Sequence, residues 1–324
     1  MKYLFKKIQK YGIQNSFLIF LTKILSPHFS PTYELAKRFH PIVTQNINGY
    51  KMQLDLREDE GISKDLFLHK KREHLSTDFL INSNILNEGD FVLDAGANIG
   101  YYALLESNLV GNTGAVYAVE PAQKNFQALT KNVELNNSIN VKVYNLAMGS
   151  KPGKEIIYIN KKGNQSSMIY RQDENIKDKE EVNTTTVDIF IREEMKQSPK
   201  LIRMDVEGYE YAILEGMSDT LKTNPILFIE FHPPILTTKQ KERICFLLHE
   251  NGYNNFTIIR DHKCHELTLR GKIVSRLYKK IQGKPTKQFP INRVTHTDYE
   301  EFYSRLMRGN KSFHALIKRD GAKI

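Results

Sequence analysis

Ten residues, Phe91-Val92-Leu93-Asp94-Ala95-Gly96-Ala97-Asn98-Ile99-Gly100, constrain this chain more than any others. Three apolar residues suited to a buried strand run into an acid and then into glycines spaced D-x-G-x-x-x-G, the way a first strand turns sharply into a helix beneath a nucleotide-like ligand. Gly96 and Gly100 let backbone approach that ligand closely, with Asn98 between them, and Asp94 stands where a carboxylate can meet a cation or hydroxyls. Twenty residues after Gly100, the apolar run Ala115-Val116-Tyr117-Ala118-Val119 ends in Glu120, an acid placed to accept two hydrogen bonds from a ribose. Pro121 stops that strand.

The glycines separate two ligand classes. Dinucleotide folds carry G-x-G-x-x-G, whereas residues 96–101 read Gly-Ala-Asn-Ile-Gly-Tyr and lack the second glycine, so a pyrophosphate fits poorly. A ligand with one ribose, an adenine and an amino-acid tail fits better, which describes S-adenosylmethionine. A tight strand-to-helix turn without any ligand is the other reading of the same residues.

Strands alternating with helices from 91 to 260 predict a Rossmann-like α/β fold with a mostly parallel central sheet and helices on both faces. Phe126, Leu129 and Val133 have helical spacing closed by Asn136-Asn137. A third strand over 141–146 ends at Ala147-Met148-Gly149, where an adenine edge is read. Strands are predicted at 155–159 and 182–187, a helix over 188–195, and further strands at 201–204, 226–231 and 256–260. The last strand falls either at 265–269 or at 313–318. Asp94, Glu120, Ala147, Asp205 and Glu230 all sit at carboxyl ends of strands, where open sheets bind ligands, so one crevice collects them. Ahead of the core, Asn48-Gly49 predicts a hairpin over 42–56, and a loop over 61–68 leads into a helix over roughly 70–86. The chain thus divides into a basic amphipathic N-terminal helix region (1–40), a hairpin and helix leading into the core (41–89), the ligand-binding core (90–260) and a basic C-terminal segment (261–324).

Charge is placed unevenly: the formal +10 resolves into +6 over residues 1–40, −5 over 41–270 and +9 over 271–324. A domain built to grip a polyanion would carry its surplus beside the ligand site, which argues against nucleic acid. Within residues 1–25, Leu4, Ile8 and Tyr11 recur at helical spacing opposite Lys2, Lys6 and Lys10, a pattern that lies on an anionic membrane surface or packs on protein. Lys23 interrupts its apolar run and no small-residue cleavage site follows, unlike a removable leader. No apolar run reaches the roughly 20 residues of a membrane span. Cys245 and Cys264 carry no metal spacing and point to a reducing compartment, hence a cytoplasmic protein, peripheral on a membrane if the helix docks there.

Residues 92–102 (Val-Leu-Asp-Ala-Gly-Ala-Asn-Ile-Gly-Tyr-Tyr), Val116-Tyr117-Ala118-Val119-Glu120-Pro121, Asn132 with Asn136, and Arg203-Met204-Asp205-Val206-Glu207-Gly208-Tyr209-Glu210 with Leu214 and Gly216 resemble the FkbM family of S-adenosylmethionine-dependent methyltransferases, over roughly residues 42–260. The resemblance implies a class I methyltransferase fold and methylation of hydroxyl oxygens on sugars, glycans or polyketide-like metabolites. Glu73 resembles the family's acidic residue ahead of the first strand. Ser166-Ser167 resemble its serine pair, which shifts the segment 163–167 from an idle surface loop toward a lid. Arg203 departs from the usual Lys, keeping the charge but changing the donor geometry, which bears on substrate shape.

Methyl transfer to oxygen needs an aligned acceptor and removal of its proton, because an alcohol is a poor nucleophile. Asp205, Glu207, Glu230 and His232 are the candidates. Asp205 and Glu207, two residues apart, would share a face of an extended strand. Glu207 or Asp205 is the expected base, with His232 second, and Asp205, Glu207 and Glu230 could instead ligate a hard ion such as Mg2+. The plainer alternative has Asp205 positioning the cofactor's ammonium and Glu207 capping the next helix. Asp205 then joins Asp94, Gly96, Asn98, Gly100, Glu120 and Ala147 as cofactor-binding residues. Competing functions are an RNA methyltransferase and a non-catalytic membrane-associated scaffold. His232-Pro233-Pro234-Ile235 lacks both the leading Asn/Asp and the final aromatic of an amide-acceptor motif.

Overall fold

A computed structural model describes residues 31–57, 61–160, 166–170, 176–260 and 293–320. The helix expected over 1–25, Cys264, residues 163–165 and the strand considered at 265–269 lie outside them.

Helix α1 (Pro31–Phe39) leads into an antiparallel hairpin of β1 (Ile42–Ile47) and β2 (Tyr50–Asp55). Asn48 and Gly49 both take positive φ, the turn geometry that Asn-Gly favours. The loop expected over 61–68 is instead a helix, α2 (Ile62–His69), and the helix expected over 70–86 shortens to α3 (His74–Asn82). Lys70 and Glu73 hold left-handed φ of 55° and 45°, ending one helix and starting the next. This bend brings Glu73 to Arg72, Tyr102 and His314.

Next come β3 (Phe91–Ala95), α4 (Tyr101–Val110), β4 (Ala115–Val119), α5 (Gln123–Leu135) and β5 (Val141–Tyr144), in strict alternation. The third strand stops at Tyr144 because Ala147–Met148, as β6, pairs with a different sheet. Its partners β7 (Gly153–Asn160) and β8 (Ile176–Thr185) are longer than expected. α6 (Val187–Phe190) passes into a π turn over Ile191–Met195. There follow β9 (Leu201–Met204), α7 (Glu210–Glu215), α8 (Ser218–Lys222), β10 (Ile226–Phe231), α9 (Thr238–Glu250), β11 (Tyr253–Arg260), β12 (Arg293–Thr297), α10 (Tyr299–Arg308) and β13 (Phe313–Arg319).

Among the described residues the main sheet has eight strands in the order β12-β11-β13-β10-β9-β3-β4-β5. β5, β4, β3, β9 and β10 run parallel, and β13 inserts antiparallel between β10 and β11. Successive strand residues serve opposite cores: Val92, Val116, Leu201 and Phe228 face α4, while Leu93, Tyr117, Ile202 and Leu227 face the other layer. Burying each such side chain contributes about 1.5–3 kcal/mol, so both faces are fixed. Register carries this alternation to the strand ends, where Asp94 lies beside Arg203 and Glu230 beside His314.

Candidate active site

At the carboxyl ends of β3, β4 and β9 lies a cleft of about 650 Å³, part of it open to solvent, walled by Gly96, Asn98, Glu120, Ala147, Met148 and Asp205. The turn after β3 builds it. Gly96 has φ +84°, and a Cβ there would stand 2.1 Å from the Asp205 carbonyl oxygen, so only glycine lets the two strand ends come this close. The Asn98 backbone N–H donates to Glu120 Oε2 at 2.9 Å, and Ala122 N–H and Asn125 Nδ2 donate to Oε1 at 3.0 and 3.4 Å. These donors fix the carboxylate while leaving it acceptor capacity for ribose hydroxyls. Burial pushes Glu120 up to about 7 in spite of them.

The other end is charged. Arg203, buried in β9, donates to Asp94 Oδ1 at 2.8 Å and to Asp205 Oδ2 at 3.1 Å, and its guanidinium lies 3.9 Å from the centre of the Tyr102 ring. Burial works to raise Asp205, but Arg203 holds it below the usual carboxylate range. Glu207, in a left-handed turn with φ 51°, brings Oε2 to 3.4 Å from His232 Nε2. Glu210, fully buried, anchors the far side of that ring: Oε1 accepts from Gly208 N–H at 3.0 Å and lies 2.6 Å from His232 Nδ1. A carboxylate only accepts, so Nδ1 donates and Nε2 is left facing Glu207 and Glu230. Burial pulls His232 down, but Glu210, Glu230 and Glu207 carry it well above an ordinary histidine. Burial and Asp205 push Glu230 up to about 8. His314 rises to about 9, burial being outweighed by Glu230 and Glu73. The site pairs a cleft at the strand ends with a shielded cluster able to take up a proton.

Residues 94–254 match the family model described as the methyltransferase FkbM domain. The chain carries an FkbM methyltransferase domain. It is an S-adenosylmethionine-dependent methyltransferase. "Methyltransferase 1" of Beauveria bassiana (strain ARSEF 2860) is 27% identical over 195 residues, covering 55% of this chain and 74% of that protein. Among solved structures, methyltransferase FkbM from Methylobacillus flagellatus KT is similar at 16% identity with a TM-score of 0.41, over 63% of this chain and 50% of that one, so this chain spans half its length. A SAM-dependent O-methyltransferase from Thermotoga maritima is similar at 13% identity with a TM-score of 0.40, over 80% and 72%.

The FkbM domain brings Gly96, Asn98, Glu120, Ala147 and Asp205 onto the cleft wall, and S-adenosylmethionine fits there: a close-approach glycine, a fixed acceptor for a ribose, and a carboxylate for an ammonium. Asp94, read from sequence as a ligand residue, is not on the cleft wall. It is fully buried and its carboxylate turns to Arg203, so it backs the wall. Gly100 also stands behind the wall, where a Cβ would meet Leu129 Cδ1 at 2.8 Å; its glycine serves the turn into α4. Asp205 and Glu207 do not share a strand face, because β9 ends at Met204 and Glu207 turns the chain. Nor does Glu207 cap α7, whose N-cap is Tyr209.

Ser166 lines the cleft, and Ser167 Oγ donates to the Glu207 carbonyl at 2.8 Å, so this pair lies against the site. Of the acids considered for the metal, Asp205 and Glu230 gather within 4.8 Å together with His232, without Glu207. Two carboxylates and an imidazole, with Arg203 already on Asp205, do not make the all-oxygen octahedron that Mg2+ demands. Three residues of the cluster were given no role from sequence: Arg72, Glu210 and His314. Glu210 sat in the quoted Asp-Val-Glu-Gly-Tyr-Glu block, Arg72 beside Glu73, and His314 would have surfaced had the strand at 313–318 been paired with β10.

Proposed function

We propose that this enzyme methylates a hydroxyl oxygen of a sugar, a glycan or a related metabolite. The observation that carries the reading is the line Glu210–His232–Glu207, a buried carboxylate fixing an imidazole that in turn meets a second carboxylate on the cleft wall. S-adenosylmethionine supplies the activated methyl when bound. The protein's part is to hold the donor's adenosine at Gly96 and Glu120, present Asp205 to its ammonium, and relieve the acceptor hydroxyl of its proton. Glu207 is the base, because Arg203 already occupies Asp205. His232 positions it. Carboxylates and imidazoles hydrogen-bond hydroxyls readily, and the same acids repel a phosphodiester backbone, which favours a glycan over RNA.

The test is Glu207→Gln. Cofactor affinity by calorimetry should stay within about twofold, while turnover, read as a one-methyl mass shift across hydroxylated glycans, should fall by about 10²–10⁴. Full turnover in the variant would remove Glu207 from catalysis, methylation of RNA but of no glycan would overturn the acceptor class, and a wild-type protein that binds no cofactor would leave a scaffold. The basic residues near both ends support peripheral docking on anionic membranes, which sedimentation with and without residues 1–25 tests. Among the described residues no helix is long and apolar enough to cross a membrane.

A further inference from the structure

Behind the Glu207–His232 pair lies a second grouping that the reading above leaves unused. Glu230 and His314 are cross-strand partners on the antiparallel strands β10 and β13, so both side chains project from one face of the sheet. Glu73 reaches them from the left-handed turn ahead of α3. His314 is 4% exposed, and its Nε2 makes no hydrogen bond although it faces Glu73 Oε2 at 3.3 Å and Glu230 Oε2 at 3.7 Å. Glu230 is no better served, its other oxygen lying 3.9 Å from His232 Nε2. These separations are long for hydrogen bonds. They are close to the edge of a coordination tetrahedron, about 3.3 Å for metal–ligand bonds of 2.0–2.1 Å.

We infer that Glu73, Glu230 and His314 form a site for a tetrahedral divalent cation of the zinc class, with its fourth position open to an acceptor hydroxyl. An imidazole beside two carboxylates selects zinc-like ions over Mg2+. The outer shell is in place: Arg72 binds the remaining oxygen of Glu73, and the Tyr102 hydroxyl donates to Glu73 Oε2 at 2.8 Å. Tilted contact with Phe228, ring centres 5.5 Å apart, holds the His314 ring. Glu73, Asp205, Glu207, Glu210 and Glu230 gather around two guanidinium groups, Arg72 and Arg203, and two imidazoles, His232 and His314. A hydroxyl on such a cation is acidified, which is the help an alcohol acceptor needs. The inference deepens the reading of methyl transfer to a hydroxyl and rests on it for the role of the fourth position, though the ion site itself does not.

The experiment uses the full chain stripped of metal by chelator dialysis, then titrated with Zn2+ by calorimetry and with Co2+ by visible absorption, without cofactor or acceptor. One equivalent should bind, with the strong visible bands of tetrahedral Co2+. His314→Gln and Glu73→Gln should each weaken binding by at least about 100-fold, while His232→Gln stays within about threefold. If His314→Gln does not fold by circular dichroism, Glu73→Gln and Glu230→Gln carry the comparison. Absence of a Co2+ spectrum in the wild type overturns the inference, because the imidazolium then neutralises the acids alone. So does undiminished binding in His314→Gln, or loss confined to His232→Gln, which would move the ion to the Asp205 side. Failure to find a methylated glycan would refute the acceptor class and leave these binding results standing.

Discussion

The two ends of the cleft are built in opposite ways. At the cofactor end, one turn and the tip of the next strand supply backbone amides, a glycine and a single acid, all within residues 95–125. At the acidic end, charged side chains come from the α2–α3 turn, β9, α7, β10, β13 and the turns that follow β9 and β10, and the packing of that first turn on β13 brings Glu73 and His314, some 240 residues apart, within 3.3 Å. The first end is made by local conformation and the second by long-range pairing. An error in the turn should therefore damage binding outright. An error in the cluster, Asp205 aside, should leave binding intact and change what the bound molecules do.

Arg203 is where that contrast can be broken, because it belongs to both ends. It bridges Asp94 behind the cofactor turn and Asp205 on the cleft. Arg203→Ala should cost about 3–5 kcal/mol, since two buried acids lose their countercharge, and urea denaturation measures it. Arg203→Lys should lose less, reaching one carboxylate instead of two. A loss under about 1 kcal/mol for the alanine variant would mean that the acids shed their charge by protonation. Next in size is Gly96→Ala. Its Cβ would strike the Asp205 carbonyl, so overpacking together with a positive φ should cost about 3 kcal/mol and abolish detectable cofactor binding by calorimetry; unchanged binding would detach the turn from the ligand.

The same division explains what could be read from the residues alone. Asn48-Gly49, the Asp94–Gly100 turn, Glu120 at a strand end and the alternation to Arg260 are local patterns whose chemistry is complete within a few residues, and the structure places them accordingly. Helix α2 was read as a loop, and the late start of α3 at His74 was invisible, because nothing in residues 70–73 excludes a helix; the partners Tyr102 and His314 favour the bend. The partner of Asp94 was out of reach for a related reason. An acid at a strand end points to a ligand unless a neighbouring strand offers a cation in register, and Arg203 does so from 109 residues away. His314 needed both the strand and its pairing.

A third variant sharpens the local side of the comparison. Asn132, fully buried in α5, accepts from the Gln53 N–H at 2.7 Å and donates to the Ile99 carbonyl at 2.8 Å, tying the hairpin to the cofactor turn. Asn132→Ala strands both backbone groups and should cost about 1–3 kcal/mol. Calorimetry should show weaker cofactor binding, with turnover per bound complex unchanged. A variant that bound normally and turned over slowly would place the hairpin with the acidic end.

The smallest effect is the pH response of Glu120, and its sign separates binding from folding. Burial holds this carboxyl up at about 7, against about 4.3 for an unperturbed glutamate. The folded, ligand-free protein therefore keeps its proton more tightly than the unfolded chain does, so this group's contribution to stability is full below about pH 4 and is lost as pH rises toward 7. Cofactor binding runs the other way, because only the ionised carboxylate can accept both ribose hydroxyls. Between pH 8 and pH 6 affinity should fall by about tenfold, and Glu120→Gln should bind more weakly at pH 8 with that slope flattened. An affinity equally steep in the variant would assign the pH response to the acidic end, and the cofactor turn would then be insensitive to protons.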